Sequence, residues 1–274
     1  MVHFWQRIRI VKLLSTLVVM LLAACLLADC GAAKEKPIER TKQYGEDEEV
    51  GLKNIFGGTN ILQGSGNVTT ESREVSGFTE VALAGSGNLT IRQTGSDSLS
   101  IEAEDNIIPK LTSEVANGRL TLGVEPNTNL WPTKPINYEL TVKDLNAIQS
   151  LGSGGIYMNS INTDVLGITN NGSGEINLAN VEANNLRVAS GGSGAVKTAG
   201  KVGSQVVGIL GSGHYQAEDL QSQEAKVDIK GSAEATVNVT ERLDARITGS
   251  GSIEYVGNPT ISQQVRGSGE LRRR

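Results

Sequence analysis

The sequence predicts an all-β protein, a right-handed parallel β-helix (β-solenoid) with about 20 residues in each coil. The tripeptide Gly-Ser-Gly recurs at a nearly constant interval, which is broken once between Gly85 and Gly152. Apolar residues recur in the same register and alternate with polar ones, as they do in strands with one buried face. Helical periodicity is not evident in this region. A fixed period of this length is typical of a solenoid, whose parallel crossovers are usually right-handed.

The glycine motif predicts the corners of the coils, where the chain turns sharply. Glycine adopts a positive φ without the penalty that a Cβ atom brings, and the serine hydroxyl is expected to hydrogen-bond to neighbouring corners. The motif reads GSA at 231–233, which suggests a slightly altered corner there. The predicted corner glycines are Gly64, Gly85, Gly152, Gly172, Gly192, Gly211, Gly231, Gly249 and Gly267.

The apolar residues predict columns of inward-facing side chains that continue from coil to coil. The residues four positions after the first glycine are Val68, Leu89, Ile156, Ile176, Val196, Tyr215, Ala235 and Ile253. Those six positions after it are Ile91, Met158, Leu178, Ala217, Val237 and Tyr255. Fourteen and sixteen positions after it come Leu99/Ile101, Leu166/Ile168, Leu186/Val188 and Ala225/Val227. Spacing by two within each pair indicates at least two strands in each coil.

The long interval between Gly85 and Gly152 divides the predicted domain, 57–270, into a first half (57–150) and a half of regular coils (151–270). Within it, the dipeptide Asn117-Gly118 predicts a tight turn beside an alternating strand. We interpret this part as irregular coils with an excursion around Trp131. This tryptophan could mark a recognition loop, or it could cover an edge of the core.

Residues 1–24 predict a lipoprotein signal peptide. Arg7, Arg9 and Lys12 precede an apolar run that ends at small residues, the pattern of an export signal. A single spanning helix is the competing interpretation, but the apolar stretch is slightly short for one.

The signal predicts a lipid anchor on a cysteine. The sequence LAAC at 22–25 resembles the bacterial lipobox and favours acylation of Cys25, with Cys30 in LADC as the alternative. Residues 25–56 are rich in mixed charge and predict a lipid-anchored linker. We therefore expect an exported protein held at a membrane of the cell envelope. Both cysteines lie in this segment, so the folded domain has no disulfide or cysteine metal site.

Charge excludes one class of partner. The net charge of −5 becomes −8 when the three positive charges of the predicted signal peptide are removed. Such a chain lacks the basic footprint of a nucleic-acid-binding protein.

The residues show no catalytic constellation, and we expect no cofactor and no metal. His214 is the one histidine after the predicted signal peptide, so neither a metal site nor histidine-dependent catalysis has partners there. The closest carboxylate pairs are Glu218–Asp219 and Glu102/Glu104, which read as surface charge. A polysaccharide-degrading β-helix needs a clustered pair, and the aligned coils build no acidic groove.

Three phrases carry a family resemblance: VSGFTEVALAGSGNLTI at 75–91, DNIIPKL at 105–111 and GSGG at 152–155. With them the chain resembles the head domain of putative autotransporter adhesins, also called the GIN domain, over about 57–270. The resemblance implies a parallel β-helix in two halves behind an export signal or lipobox. It supplies no catalytic residues.

These observations favour a non-enzymatic, lipid-anchored envelope protein that presents a solenoid for adhesion or binding. Its partner would be an envelope protein or a polysaccharide. A self-assembling scaffold is the alternative, and a polysaccharide-degrading enzyme is a weaker one. The candidate contact residues are Trp131, Tyr157 and Tyr215.

Overall fold

The computed structural model describes residues 60–274, which form 19 strands, one 3₁₀-helix (Ile108–Lys110) and no α-helix. The first strands are β1 (Asn60–Gln63), β2 (Val68–Arg73), β3 (Glu80–Leu83), β4 (Asn88–Gln93), β5 (Ser98–Glu104), β6 (Leu111–Ala116), β7 (Arg119–Val124), β8 (Thr128–Trp131) and β9 (Asn137–Val142). The others are β10 (Ala147–Ser150), β11 (Gly155–Met158), β12 (Ile161–Asn170), β13 (Ile176–Ser190), β14 (Ala195–Gly211), β15 (His214–Gly231), β16 (Glu234–Gly249), β17 (Ser252–Val256), β18 (Thr260–Gly267) and β19 (Glu270–Arg273).

From β11 onward the chain forms a β-solenoid of parallel coils. Each coil has a first face, a short edge, a second face and a glycine corner, at about 155–158, 161–163, 165–170 and 171–174 in the first of these coils. On the first face, parallel pairing aligns one inward column from coil to coil: Leu89, Ile156, Ile176, Val196, Tyr215, Ala235 and Ile253. All of these side chains are buried. The predicted solenoid is confirmed, and so is the predicted column from Leu89 to Ile253.

The second face buries the residues predicted at fourteen and sixteen positions after the corner. Ile168 pairs with Val188, which pairs with Val207 in the next coil. Leu99 and Ile101 are also buried, but they lie on β5, which runs antiparallel to β9 and so stands outside this column. Their placement in the regular register is therefore wrong.

The long interval between Gly85 and Gly152 does not interrupt the stack. Leu89 pairs with Ile156 on one side and with Tyr138 of β9 on the other. In the same way, β3 lies between β7 and β10. The irregular coils thus stack on the far side of the Gly85 coil, and the regular repeats on either side of the interval are spatial neighbours. This arrangement keeps the hydrogen-bond ladder between coils continuous. The long connection from the Gly85 coil to the Gly152 coil is tolerated, because the entropic cost of closing a loop rises only slowly with its length.

The N-terminal end of the stack contains antiparallel strands. The β6–β7 hairpin turns at Asn117 (φ 52°) and Gly118 (φ 77°), two positive φ values that define a type I′ turn and confirm the predicted turn. β2 runs antiparallel to β5, where Val68 pairs with Glu104 and is 49% exposed. Val68 therefore lies outside the inward column, contrary to the prediction, because its strand pairs in the opposite direction.

The corner glycines from Gly85 to Gly267 stack on one another, but for two different reasons. φ is positive at Gly211, Gly231, Gly249 and Gly267, between 118° and 133°. It is not positive in the earlier corners. There a Cβ on Gly172 would overlap the carbonyl oxygen of Gly152, its counterpart one coil earlier. A positive φ is thus the wrong explanation for the earlier corners, where close backbone contact alone excludes a Cβ. At Gly231, Gly249 and Gly267 both reasons apply, because a Cβ there would also lie 2.3–2.4 Å from the carbonyl oxygen of the glycine one coil earlier.

Backbone hydrogen bonds, rather than serine hydroxyls, connect successive corners. The amide of Ser173 donates to the carbonyl of Gly152 at 3.1 Å, and the amide of Ser232 donates to that of Gly211 at 2.9 Å. No corner serine hydroxyl from 153 onward bonds to another corner in the described chain, so that prediction is wrong. The GSA corner turns in the same way as the GSG corners beside it, because φ is 133° at Gly231, 118° at Gly211 and 121° at Gly249. The Ala233 side chain is buried.

Candidate binding surfaces

A polar groove of about 790 Å³ runs across four coils between the short edge and the second face. Its floor is formed by Thr163, Ala183 and Val202; Thr163 and Ala183 are partly exposed, and Val202 is buried in the core. The pairing register shifts just before the groove residues, between Leu178 and Val181, and again one coil later.

The two walls of the groove are columns of side chains that can donate or accept hydrogen bonds. One wall contains Asn162, Glu182 and Lys201, which are paired in register on successive coils. The Nδ2 of Asn162 donates to Oε2 of Glu182 at 3.4 Å.

The opposite wall contains Asp164, Asn184 and Gln223. The Nδ2 of Asn184 donates to Oδ1 of Asp164 at 2.5 Å, so an amide orients the carboxylate on this wall also. Gly203 stands between Asn184 and Gln223, where a Cβ would lie 2.8 Å from the carbonyl oxygen of Asn184. The wall is therefore open at Gly203.

The groove was not among the predicted sites. The predicted carboxylate pairs are neighbours within one coil, whereas Asp164 and Glu182 stand in different columns on neighbouring coils. The signal available in the sequence was a run of polar residues nine or ten positions after successive corners, at Asn162, Glu182 and Lys201.

Trp131 is 67% exposed at the end of β8. β8 pairs in parallel with β1, where Leu62 lies opposite Leu130 and both pack against the core. Because side chains alternate along a strand, Ile61 and Trp131 share the outward face. The ring therefore does not cover an edge of the core, and its role as a contact residue stays a prediction.

Tyr157 faces outward from β11 and is 36% exposed. Its ring covers Gly155, because a Cβ at that glycine would lie 2.6 Å from the Tyr157 hydroxyl. Contact through Tyr157 also stays a prediction.

Tyr215 is buried and cannot belong to a contact surface, so that prediction is wrong. Its ring stands in the inward column, and its hydroxyl donates to Oε1 of Gln205 at 3.0 Å across the core. Thr198 donates to the same hydroxyl, and Gln205 donates to Ser222 at 2.8 Å. Burial raises the pKa of Tyr215 above its ordinary value. The chain of bonds satisfies polar groups that would otherwise destabilise an apolar interior.

Glu104, one of the predicted surface carboxylates, is buried. Amides of Gly66 and Thr133 donate to it at 2.7 and 2.9 Å, and the Thr133 hydroxyl donates to it as well. Burial alone would raise its pKa, but these hydrogen bonds outweigh burial and hold the pKa below its ordinary value. Gly64 lies against this carboxylate rather than in the corner stack, so its placement as a regular corner is wrong. The bound carboxylate joins three segments of the irregular end.

The remaining predicted polar residues lie at the surface. His214 is about half exposed, with Nδ1 3.5 Å from Glu234, and Glu218 pairs with Arg274. Residues 60–274 contain no cluster of His, Cys, Asp and Glu side chains suited to a metal ion. No helix in this range is long and apolar enough to span a membrane. Cys25 and Cys30 lie outside the described residues.

Parallel coils with outward polar columns define a class of protein, the β-solenoids, whose stacked coils form an extended, regular surface. Residues 77–259 match the family described as putative auto-transporter adhesin, head GIN domain. The match spans more than half of the chain, and the chain belongs to this family. The resemblance carried by residues 75–91 is thereby confirmed.

Several solved structures share this fold. A "putative adhesin" from Bacteroides fragilis is 28% identical with a TM-score of 0.75, covering 78% of this chain and 100% of its own. A "putative lipid binding protein" from Parabacteroides distasonis is 26% identical with a TM-score of 0.69 and the same coverage. A "putative adhesin" from Parabacteroides merdae, 20% identical, shares the fold with a TM-score of 0.65, covering 78% of this chain and 99% of its own. No curated protein matches the chain.

The family description names an adhesin, which fits an extracytoplasmic protein that binds something outside the cell. It favours a binding role over catalysis.

Proposed function

We propose that this protein is a non-enzymatic, lipid-tethered binding module of the bacterial cell envelope. One observation carries the proposal: in this chain of the adhesin family, outward-facing residues of successive coils stand in register and form straight columns. Asn177 stands between Tyr157 and Lys197 on the first face, and similar columns follow the other faces. A scaffold of this kind holds side chains at fixed spacing along an extended partner, which is an envelope protein or a polysaccharide.

The anchor is diacylglycerol on Cys25, with Cys30 as the alternative. The basic residues, apolar run and LAAC sequence support it, and the charged linker 25–56 lets the domain reach away from the bilayer. The relative described as lipid binding agrees with a place beside a membrane. Intact-mass measurement of membrane-extracted protein tests the anchor: acylated Cys25 at the new N-terminus is expected. A soluble product that begins at another residue would contradict it.

Trp131 and Tyr157 are the proposed aromatic contacts. Exposed aromatic rings bury much area at little entropic cost when a partner binds. A pull-down with the chain from residue 31, against envelope extract and polysaccharides, should lose retained material when Trp131→Ala is used. The control is Val206→Ala, which removes another exposed apolar side chain. Turnover of a glycan in the same assay would overturn the non-enzymatic proposal.

Self-assembly is the second candidate, and the last described coil favours it. Ile261 and Val265 continue the inward columns of Leu243 and Ile247 but are 38% and 40% exposed. Strand edges that expose such residues can pair with another chain. Light scattering of the same material should then show a mass that rises with concentration, reversed by Val265→Lys. A monomer at all concentrations contradicts assembly.

A further inference from the structure

We infer that the groove between the short edge and the second face is a binding site for a linear, uncharged polysaccharide segment. The inference rests on the proposed binding function and names the site and ligand class for it. Neither Trp131 nor Tyr157 lines the groove.

The shape of the groove fits one ligand class. Outward positions repeat at the spacing between coils, about 4.8 Å, which is close to the length of one pyranose unit in an extended chain. The groove crosses four coils, so it extends for ~14 Å along the solenoid. The groove is therefore about as long as a trisaccharide, and each sugar unit would lie beside the polar side chains of about one coil.

The chemistry of the groove fits hydroxyl groups, which donate and accept hydrogen bonds at once. Glu182 and Asp164 each accept one amide hydrogen bond from a neighbouring coil, which holds the carboxylate in place. Residues 60–274 supply no other hydrogen bond to either carboxylate, so one oxygen of each is available to a ligand. Lys201 forms no ion pair within the same range and provides donors on one wall. The floor offers a ligand one small apolar side chain, because Ala183 is partly exposed whereas Val202 is buried in the core.

A peptide fits less well. Extended peptides are usually bound through backbone hydrogen bonds at a free strand edge. In the groove the strands are already paired on both sides, since β13 lies between β12 and β14. The floor also lacks the deep pocket that an aromatic or aliphatic anchor of a protein partner would fill.

The test measures binding of the full mature chain in detergent to immobilised neutral oligosaccharides of one to six units. The panel contains α-linked and β-linked glucose, mannose and N-acetylglucosamine series. Affinity should rise from the monosaccharide to the trisaccharide and then level off. The double variant Asp164→Asn/Glu182→Gln should lose about tenfold or more in affinity, because hydrogen bonds to charged groups are the stronger ones.

Glu175→Gln/Asp228→Asn is the matched control, since it changes the net charge equally at two carboxylates that do not line the groove. A third variant, Ala183→Arg, fills the floor and should abolish binding while circular dichroism shows an intact fold. Binding that neither Asp164→Asn/Glu182→Gln nor Ala183→Arg reduces would place the ligand elsewhere. This result overturns the groove and leaves the proposed function standing. An absence of binding to every oligosaccharide, or retention of a peptide array alone, overturns the inference too.

Discussion

The stacking of glycine on glycine at the corners can be tested by adding one methyl group. Gly172→Ala would place a Cβ onto the carbonyl oxygen of Gly152, and its φ is not in the left-handed region. That oxygen accepts a hydrogen bond from the amide of Ser173 at 3.1 Å, so it cannot move without loss. The substitution therefore isolates the close approach of two backbones from any effect of φ.

The expected destabilisation follows from two contributions. Overpacking of a tight site costs about 3 kcal/mol when rigid backbone must shift, and weakening of the corner hydrogen bond costs about 1 kcal/mol. The free energy of unfolding should thus fall by about 4 kcal/mol. For a domain of this size, each kcal/mol lowers the melting temperature by about 2–4 °C, so a decrease of about 8–16 °C is expected.

Two glycines about two coils further along the chain supply the controls. At Gly208 an added Cβ meets no atom within 4 Å and φ is not positive, so Gly208→Ala should be neutral or stabilise by about 0.5–1 kcal/mol. At Gly211 φ is 118° but the nearest atoms are 3.7 Å away, so Gly211→Ala reports the φ penalty alone, about 1–3 kcal/mol.

Thermal unfolding followed by far-ultraviolet circular dichroism, which reports secondary structure, compares the variants with the native chain. The expected order of melting temperature, from highest to lowest, is Gly208→Ala, then Gly211→Ala, then Gly172→Ala. If Gly172→Ala melts together with Gly208→Ala, the corners do not depend on close backbone contact and the explanation is refuted.

Three further predictions concern the interior. Ile176→Asp places an unpaired charge in the buried column and should destabilise the protein by about 4 kcal/mol or more. Asn177→Asp, on the outward side of the same strand, should change the melting temperature little. Equal melting temperatures for the two variants would mean that the register is wrong. Tyr215→Phe removes a hydroxyl that makes two buried hydrogen bonds and should cost about 1–3 kcal/mol. Tyr138→Phe should be neutral or stabilising, because that hydroxyl is buried and residues 60–274 offer it no hydrogen-bond partner; chemical denaturation would expose a reversed order. The lowered pKa of Glu104 contributes stability that is present above its ordinary pKa of 4.5 and is lost as the pH falls through the folded value. Glu104→Gln should therefore flatten the decrease in melting temperature on acidification, and an unchanged pH profile would exclude this carboxylate as the cause.

The sequence by itself determined the solenoid and its regular register. Short repeats with alternating apolar positions can bury their apolar face only by stacking, so Ile156, Ile176 and Val196 had to fall into one column. The family resemblance came from the same part of the chain. These features are local and periodic, and for that reason one sequence suffices to predict them.

The tertiary structure decided everything that depends on which segments become neighbours. The sequence could not show that the irregular coils stack beyond Gly85, because antiparallel and parallel pairing of β5 and β9 use the same alternating pattern. Nor could it show the two reasons for glycine, since a close approach and a positive φ both select a residue without Cβ.

The groove was missed for the same physical reason. Asp164 and Glu182 belong to different coils and stand in different columns, and only the stacking of the coils places both beside one groove. Tyr215 illustrates the converse: a tyrosine in an apolar column is buried when the core supplies a hydrogen-bond partner, here Gln205. Periodicity determines which way a residue faces, and tertiary packing determines what it meets.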